Sequence, residues 1–220
     1  MSIIGMTSNL LNRWNGVLKL SNLPKNEVSD KWWNIINTRY TEKQRYYHTL
    51  THINELLKLE EQFSSKLKSP ETVQWAIWFH DIVYDPTKHD NEDQSAQLFK
   101  EFSNDLKLSN ELTTRVYNYI MATKNHTSVQ TNGDSDLDYF LDFDLSILGT
   151  DRETYDQYST SIRNEYIHIP DHLFKEGRSK ILQKFIDAGY QSLFRTNEFR
   201  EIYGKNSIEN LKFELNKLSH

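Results

Sequence analysis

Three observations predict an all-α fold for this 220-residue chain. Only 7 Gly and 4 Pro punctuate it, too few for the many turns of a β protein. Apolar residues recur at helical spacing in segment after segment. Ser, Asp and Pro stand where those segments begin. The expected architecture is a single domain over 1–220, a bundle of about eight to ten helices by the usual helix length. Its chemistry-bearing motifs fall within 45–149, and further helices fill 150–220.

The elements follow in order. The stretch "SDKWWNIINTRY" (29–40) opens on a Ser/Asp cap and carries Trp32, Trp33, Ile35 and Ile36. In "HTLTHINELLKLEEQFSSKL" (48–67), Leu50, Ile53, Leu56, Leu57 and Phe63 keep helical spacing. "SPETVQWAIWFHD" (69–81) has Ser69 as N-cap and Pro70 at the first helical position. "DNEDQSAQLFKEF" (90–102) starts on an Asp cap and points Ala96, Leu98, Phe99 and Phe102 inward. "SNELTTRVYNYIMAT" (109–123) repeats that pattern with Leu112, Val116, Tyr119 and Ile120. "DLDYFLDFDLSILG" (136–149) ends on a Gly that suits a helix C′ position. "DRETYDQYSTSIRNEY", "DHLFKEGRSKILQKFIDAG" and "NSIENLKFELNKL" complete the series.

Composition narrows the chemistry. The aromatic content, 13% of residues, argues against disorder. A net charge of −5 with no long basic run disfavours stable nucleic-acid binding. There is no cysteine, so disulfides, thiolate nucleophiles and cysteine zinc sites are excluded. Any metal must be held by His, Asp, Glu and water. The start "MSIIGMTSNLLNRW" lacks the charged head and long apolar core of a leader peptide, and no apolar stretch spans a bilayer. The expected location is cytoplasmic.

Four residues in two short stretches point to a metal. His48 and His52 are four apart, which on a helix places both imidazoles on one face, about 6 Å apart at Cβ. His80 and Asp81 are neighbours and diverge by about 100° on a helix, so both reach one ion only where the helix ends. Pro86 disfavours helix at Asp85, in agreement with such an end. A fourth ligand comes from Asp142 or Asp144 in "FLDFDLSILG", carboxylates set among apolar residues. Two imidazoles and two carboxylates leave open positions where water binds and loses a proton.

The order H…HD…D on helices resembles the HD superfamily of metal-dependent phosphohydrolases. The segment "YHTLTH" is similar to the "YHNxxH" segment of cyclic-nucleotide phosphodiesterases, which share that scaffold. A closer resemblance is to a poorly characterised bacterial family of predicted HD phosphohydrolases. Its motifs "RxYHNLxHI", "HDxVYDP", "DNExxSA", "TxxH" and "DLSILG" are matched by "RYYHTLTHI" (45–53), "HDIVYDP" (80–86), "DNEDQSA" (90–96), "TKNH" (123–126) and "DLSILG" (144–149). The tail segments "IRNEY" (162–166), "GRSKIL" (177–182) and "NLKFEL" (210–215) also resemble that family. Thr49 departs from it, standing where the family often has Asn. The resemblance implies an HD-type helical bundle. It implies that His52, His80, Asp81 and Asp144 ligate a divalent metal, with Asp142 competing for the last place. It makes His48 the acid that protonates the leaving group, with Asp81 the other catalytic residue.

A supporting shell is expected around these residues. Glu92, beside the Asp90 cap, is placed to bond a metal-bound water or a ligand His, or to help a second metal. His126 suits a phosphate oxygen or a second ion. Arg45, one turn before His48, offers a fork of donors suited to phosphate. Tyr84 is placed to close the pocket. Trp75 and Trp78 are expected to pack beneath the site. His89 and His168 read as surface residues. Arg163, Glu165, Tyr166 and Arg178 form either a buried ion-pair lock or part of the pocket lining.

The expected function is hydrolysis of a small nucleotide or related phosphoester by a metal-activated water. The expected cofactor is one or two divalent ions among Mn, Mg, Fe, Co, Ni and Zn. Beside the small phosphorylated substrate no membrane partner is expected, and a homo-oligomer is allowed. Two alternatives stay open: an HD-fold di-iron oxygenase, with His48 and His126 as extra ligands, and a catalytically silent nucleotide-binding module.

Overall fold

The computed structural model describes residues 3–219. Among them it is all-α, with eleven α-helices, two short 3₁₀ turns and no strand. The chain divides into two compact units, residues 1–124 and 125–220.

The first unit holds α1 (Ile3–Leu20), α2 (Glu27–Arg39), α3 (Leu50–Phe63), α4 (Pro70–Phe79), α5 (Asn91–Leu106) and α6 (Asn110–Thr123). Helix α1 falls in a stretch to which the sequence pattern assigned no element. Helix α2 begins earlier than expected: Asn26 is its N-cap and Ser29 closes a reciprocal capping box from the third helical position. Helix α3, by contrast, begins later than expected. Thr49 is its N-cap and accepts from Thr51 N, so His48 lies outside the helix. A hydroxyl at an N-cap satisfies one orphan amide, which is a sufficient physical role for Thr49.

Helix α4 is the centre of this unit. Val73, Trp75, Ala76, Ile77, Trp78 and Phe79 are all completely buried. A helix apolar on every side belongs inside a core, and each large side chain so buried contributes about 1.5–3 kcal/mol. Trp14 of α1 meets Trp75 and Trp78 edge-on at 5.3 and 5.8 Å, and Phe102 of α5 lies 4.7 Å from Trp75. The indole N–H of Trp75 donates to Ser21 Oγ, and that of Trp32 to Asp105. The aromatic packing therefore fixes the helix that ends at His80.

The second unit holds α7 (Ser135–Leu145), α8 (Arg152–Glu165), α9 (Asp171–Ala188), α10 (Tyr190–Leu193) and α11 (Asn197–Leu218). A 3₁₀ turn, Ser146–Gly149, extends α7. Gly149 serves close approach rather than a left-handed C′ cap: a Cβ there would stand 2.3 Å from the Tyr203 carbonyl oxygen of α11. Asn210 of α11 donates to the carbonyls of Leu148 and Thr150 and seals the same contact.

The tail motifs form a lock between α8, α9 and α11. Arg178 donates to both oxygens of Glu214, at 2.8 and 3.1 Å, and the Tyr155 hydroxyl donates to the same carboxylate. Burial alone would raise the Glu214 pKa. The hydrogen bonds and charge of Arg178, with Tyr155 and Ser159 as further donors, outweigh burial and hold it below the usual range. Arg163 instead caps the end of α8, donating to the carbonyls of Tyr166 and Ile169. Glu165 is buried, and the Tyr166 ring packs 6.1 Å from Phe174.

Candidate metal centre

The site is built at the end of α4 and the start of α3, within the first unit. Helix α4 stops at Phe79; His80 is its C-cap and Asp81 lies in the turn beyond. Neighbouring residues that would diverge on a continuing helix therefore converge. His80 Nε2 lies 2.9 Å from Asp81 Oδ2. His52, in the first turn of α3, brings its Nε2 to 3.2 Å from His80 Nε2 and 3.6 Å from Asp81 Oδ2. The two histidines are buried and the Asp81 side chain is 20% exposed, so the cluster opens on the carboxylate side.

The donor set fits a divalent ion. Ligand bonds of about 2.1 Å place neighbouring donors about 3.0 Å apart on an octahedron and about 3.4 Å apart on a tetrahedron. The three separations found here bracket those values. His80 Nδ1 lies 3.0 Å from the Ile77 carbonyl oxygen, an acceptor, so Nδ1 carries a proton and Nε2 is the ring nitrogen left to act as a ligand. His52, His80 and Asp81 are the group among the described residues whose donor atoms converge in this way, all within 4.8 Å of one another.

His48 stands beside this cluster, although not by the expected helical geometry. It lies in the turn before the Thr49 cap, and its ring centroid is 6.0 Å from that of His52. Its ring stacks on Tyr84 at 4.2 Å, while Tyr47 lies 5.0 Å from His48 and 4.8 Å from His52. Tyr84 is buried and holds the His48 imidazole by its face.

Two expectations for the surrounding shell are corrected. Arg45 does not offer its fork to a phosphate. Its side chain is wholly buried, and it donates to Glu42 and to the carbonyls of His48, Asp81 and Ile82. Asp142 is not free to ligate a metal. It is completely buried and accepts from Arg195 N, Thr196 N and Thr196 Oγ1 at 2.7–2.8 Å, anchoring the start of α11. Burial pushes its pKa up to about 6 against those three donors.

The remaining assignments fall as follows. Glu92 is half-buried in the first turn of α5, near the Lys124 ammonium, whose pKa is raised chiefly by its hydrogen bond to Asp93. The members of "DNEDQSA" that hold the site's turn are Asn91 and Ser95. Asn91 exchanges hydrogen bonds with the Asp85 backbone, and Ser95 Oγ accepts from Val83 N. Sequence reasoning passed over both, although an amide and a hydroxyl one helical turn apart are the groups that bind loop backbone. In the second unit Asp144 lies 2.6 Å from His126 Nε2. Arg195, also passed over, donates to the carbonyls of His126 and Val129 and fixes the turn that carries His126.

Fold and site together define an all-α protein with a buried His–His–Asp cluster suited to a divalent cation. No family model, curated protein or solved structure matches this chain. No described helix is long and apolar enough to cross a membrane.

Proposed function

We propose that this protein is a metal-dependent phosphohydrolase of the HD type, acting in the cytoplasm on a small nucleotide or related phosphoester. The observation that carries the reading is the convergence of His52 Nε2, His80 Nε2 and Asp81 Oδ2 at the open end of a rigid buried helix. These three atoms would hold the ion. Bound there, a divalent ion supplies Lewis acidity toward a phosphoryl oxygen and lowers the pKa of a water. The chain's own residues do the rest. The Ile77 carbonyl keeps the His80 proton on Nδ1, so Nε2 stays a ligand. His48, held by its face against Tyr84, gives its proton to the departing oxygen. The HD resemblance of "YHTLTH" and "HDIVYDP" supports the same assignment.

The test is metal analysis of the purified protein, followed by a screen of nucleotides and phosphoesters with Mn²⁺, Co²⁺, Ni²⁺, Zn²⁺ or Mg²⁺ added. Metal-dependent release of phosphate or a nucleoside product supports the proposal. Two irons with an oxygen-dependent colour change would replace it with the oxygenase. Tight nucleotide binding without turnover in any metal would replace it with a binding module.

A further inference from the structure

Arg45 lies at the junction of the two segments that carry the site. Its guanidinium is 0% exposed, and a buried cation is tolerated only when its donors are satisfied. Nη1 donates to the carbonyl oxygens of His48 at 2.9 Å and Asp81 at 2.7 Å. Nη2 donates to the carbonyl oxygen of Ile82 at 2.9 Å, and Nε to Glu42 at 3.3 Å. The guanidinium carbon sits 4.9 Å from the Tyr40 ring centre and 5.5 Å from that of Tyr84, the ring on which His48 stacks.

The bonded carbonyls matter because no helix fixes them. Asp81 and Ile82 follow the C-cap of α4, and His48 precedes the N-cap of α3. In both places the helical ladder no longer sets the backbone. A rigid planar fork that takes carbonyls from both segments sets their separation, which a single flexible ammonium does not.

We propose that Arg45 is a positioning residue, locking the turn of Asp81 to the loop of His48 and so setting the metal ligand against the acid. The proposal deepens the metal-dependent reading above and rests on it.

The test uses the full chain, with Mn²⁺ as probe. Arg45→Met removes every donor, and Arg45→Lys keeps the charge on one nitrogen. Arg115→Met is the control, because that arginine of the same unit bonds Ser69 Oγ and Tyr119 OH. Mn²⁺ affinity is measured by calorimetry below each variant's melting temperature. Amide hydrogen exchange over residues 81–85 is measured without metal.

Arg45→Met is expected to weaken Mn²⁺ binding by about 10–100-fold, the usual effect of losing a group that orients a ligand. Exchange over 81–85 is expected to quicken in parallel, and Arg45→Lys to recover part of both. Arg115→Met is expected to lower the melting temperature while leaving Mn²⁺ affinity unchanged. Wild-type affinity and exchange in folded Arg45→Met overturn the positioning role and leave the metal reading standing. A wild-type chain that binds no divalent ion overturns both. If Arg45→Met does not fold, Arg45→Lys decides: weakened Mn²⁺ binding supports the role, and wild-type binding overturns it.

Discussion

The Nε2 atoms of His52 and His80 stand 3.2 Å apart in a buried setting. Two bare lone pairs do not face each other at that distance without a proton or a cation between them. The Ile77 carbonyl already takes the Nδ1 proton of His80, so its Nε2 is an acceptor. The pair thus shares one proton, carried by His52 Nε2, or one cation, and Asp81 Oδ2 brings a carboxylate oxygen to 2.9 Å from His80 Nε2.

The first prediction follows from that geometry. The wild-type protein should hold a divalent ion, and His52→Ala, His80→Ala or Asp81→Ala should each remove it. Ligands must be deprotonated, so affinity should fall as pH drops through the ordinary histidine range, below about 6. Chelator should lower the melting temperature by mass action, and added Mn²⁺ should restore it. The apo-protein should stay helical, since α4 is buried by aromatic packing that needs no metal. Inductively coupled plasma analysis and thermal scans check these outcomes; full occupancy in the alanine variants would sink the ligand assignment.

Much of this was legible in the sequence, for identifiable reasons. The Ser69–Pro70 start of α4 was legible because Pro at the first helical position acts locally, while the helix ends at Phe79, well before the Asp85 that Pro86 restricts. The face shared by His48 and His52 was misread, because a spacing of four looks helical whether or not the cap falls between. Thr49 takes the cap, and a loop rather than a helix brings His48 to His52. The choice between Asp142 and Asp144 was closed to sequence, since both precede the same apolar run. On α7 they point about 200° apart, one to the Thr196 cap and the other to His126. Arg45 shows the deepest limit. Its donors were evident, but which acceptors met them depended on Asp81 and Ile82, 36 and 37 residues away.

His48 and His52 should separate by function. His48→Ala should keep the metal and lose turnover by about 10²–10⁴, the usual cost of a lost general acid. His52→Ala should lose both. The His48→Ala penalty should shrink on p-nitrophenyl esters, whose leaving group needs no proton. Rate ratios on an activated and an unactivated phosphoester, with metal content measured alongside, decide the matter. Equal losses on both would make His48 a binding residue, and lost metal would make it a ligand.

Glu60 should show the opposite pH behaviour to a paired carboxylate. It is 4% exposed, and burial raises its pKa against the Gln74 hydrogen bond and the Arg13 charge. A raised folded pKa contributes stability that is present below the unfolded value of 4.5 and lost as pH rises through the folded value. Glu60→Gln keeps an acceptor for Gln74 and removes the ionisation. Its stability relative to wild type should therefore improve between pH 4 and pH 7, as read from urea midpoints at each pH.

Glu214 runs the other way, in the second unit. Its side chain is 5% exposed and that of Arg178 10%, so the pair is little screened by solvent. Its folded pKa lies below the ordinary value of 4.5, because Arg178 and the hydroxyl donors outweigh burial. The linked stability is fully present above pH 4.5 and disappears as pH falls through the folded value. Glu214→Gln removes the charge and leaves Arg178 buried without a counter-ion, which costs about 3–5 kcal/mol. At pH 7 the variant should unfold at clearly lower urea. Below pH 4.5 the gap should narrow, because the unfolded wild-type chain takes up the proton there and the folded carboxyl loses its charge only as pH falls through its own lower value. Replacing both partners, Arg178→Met with Glu214→Leu, should cost less than Glu214→Gln alone, since no unpaired charge remains. Urea titrations of the three proteins at pH 7 and near pH 3 check this. A constant gap across that range would assign the lock to packing around Tyr155 rather than to charge.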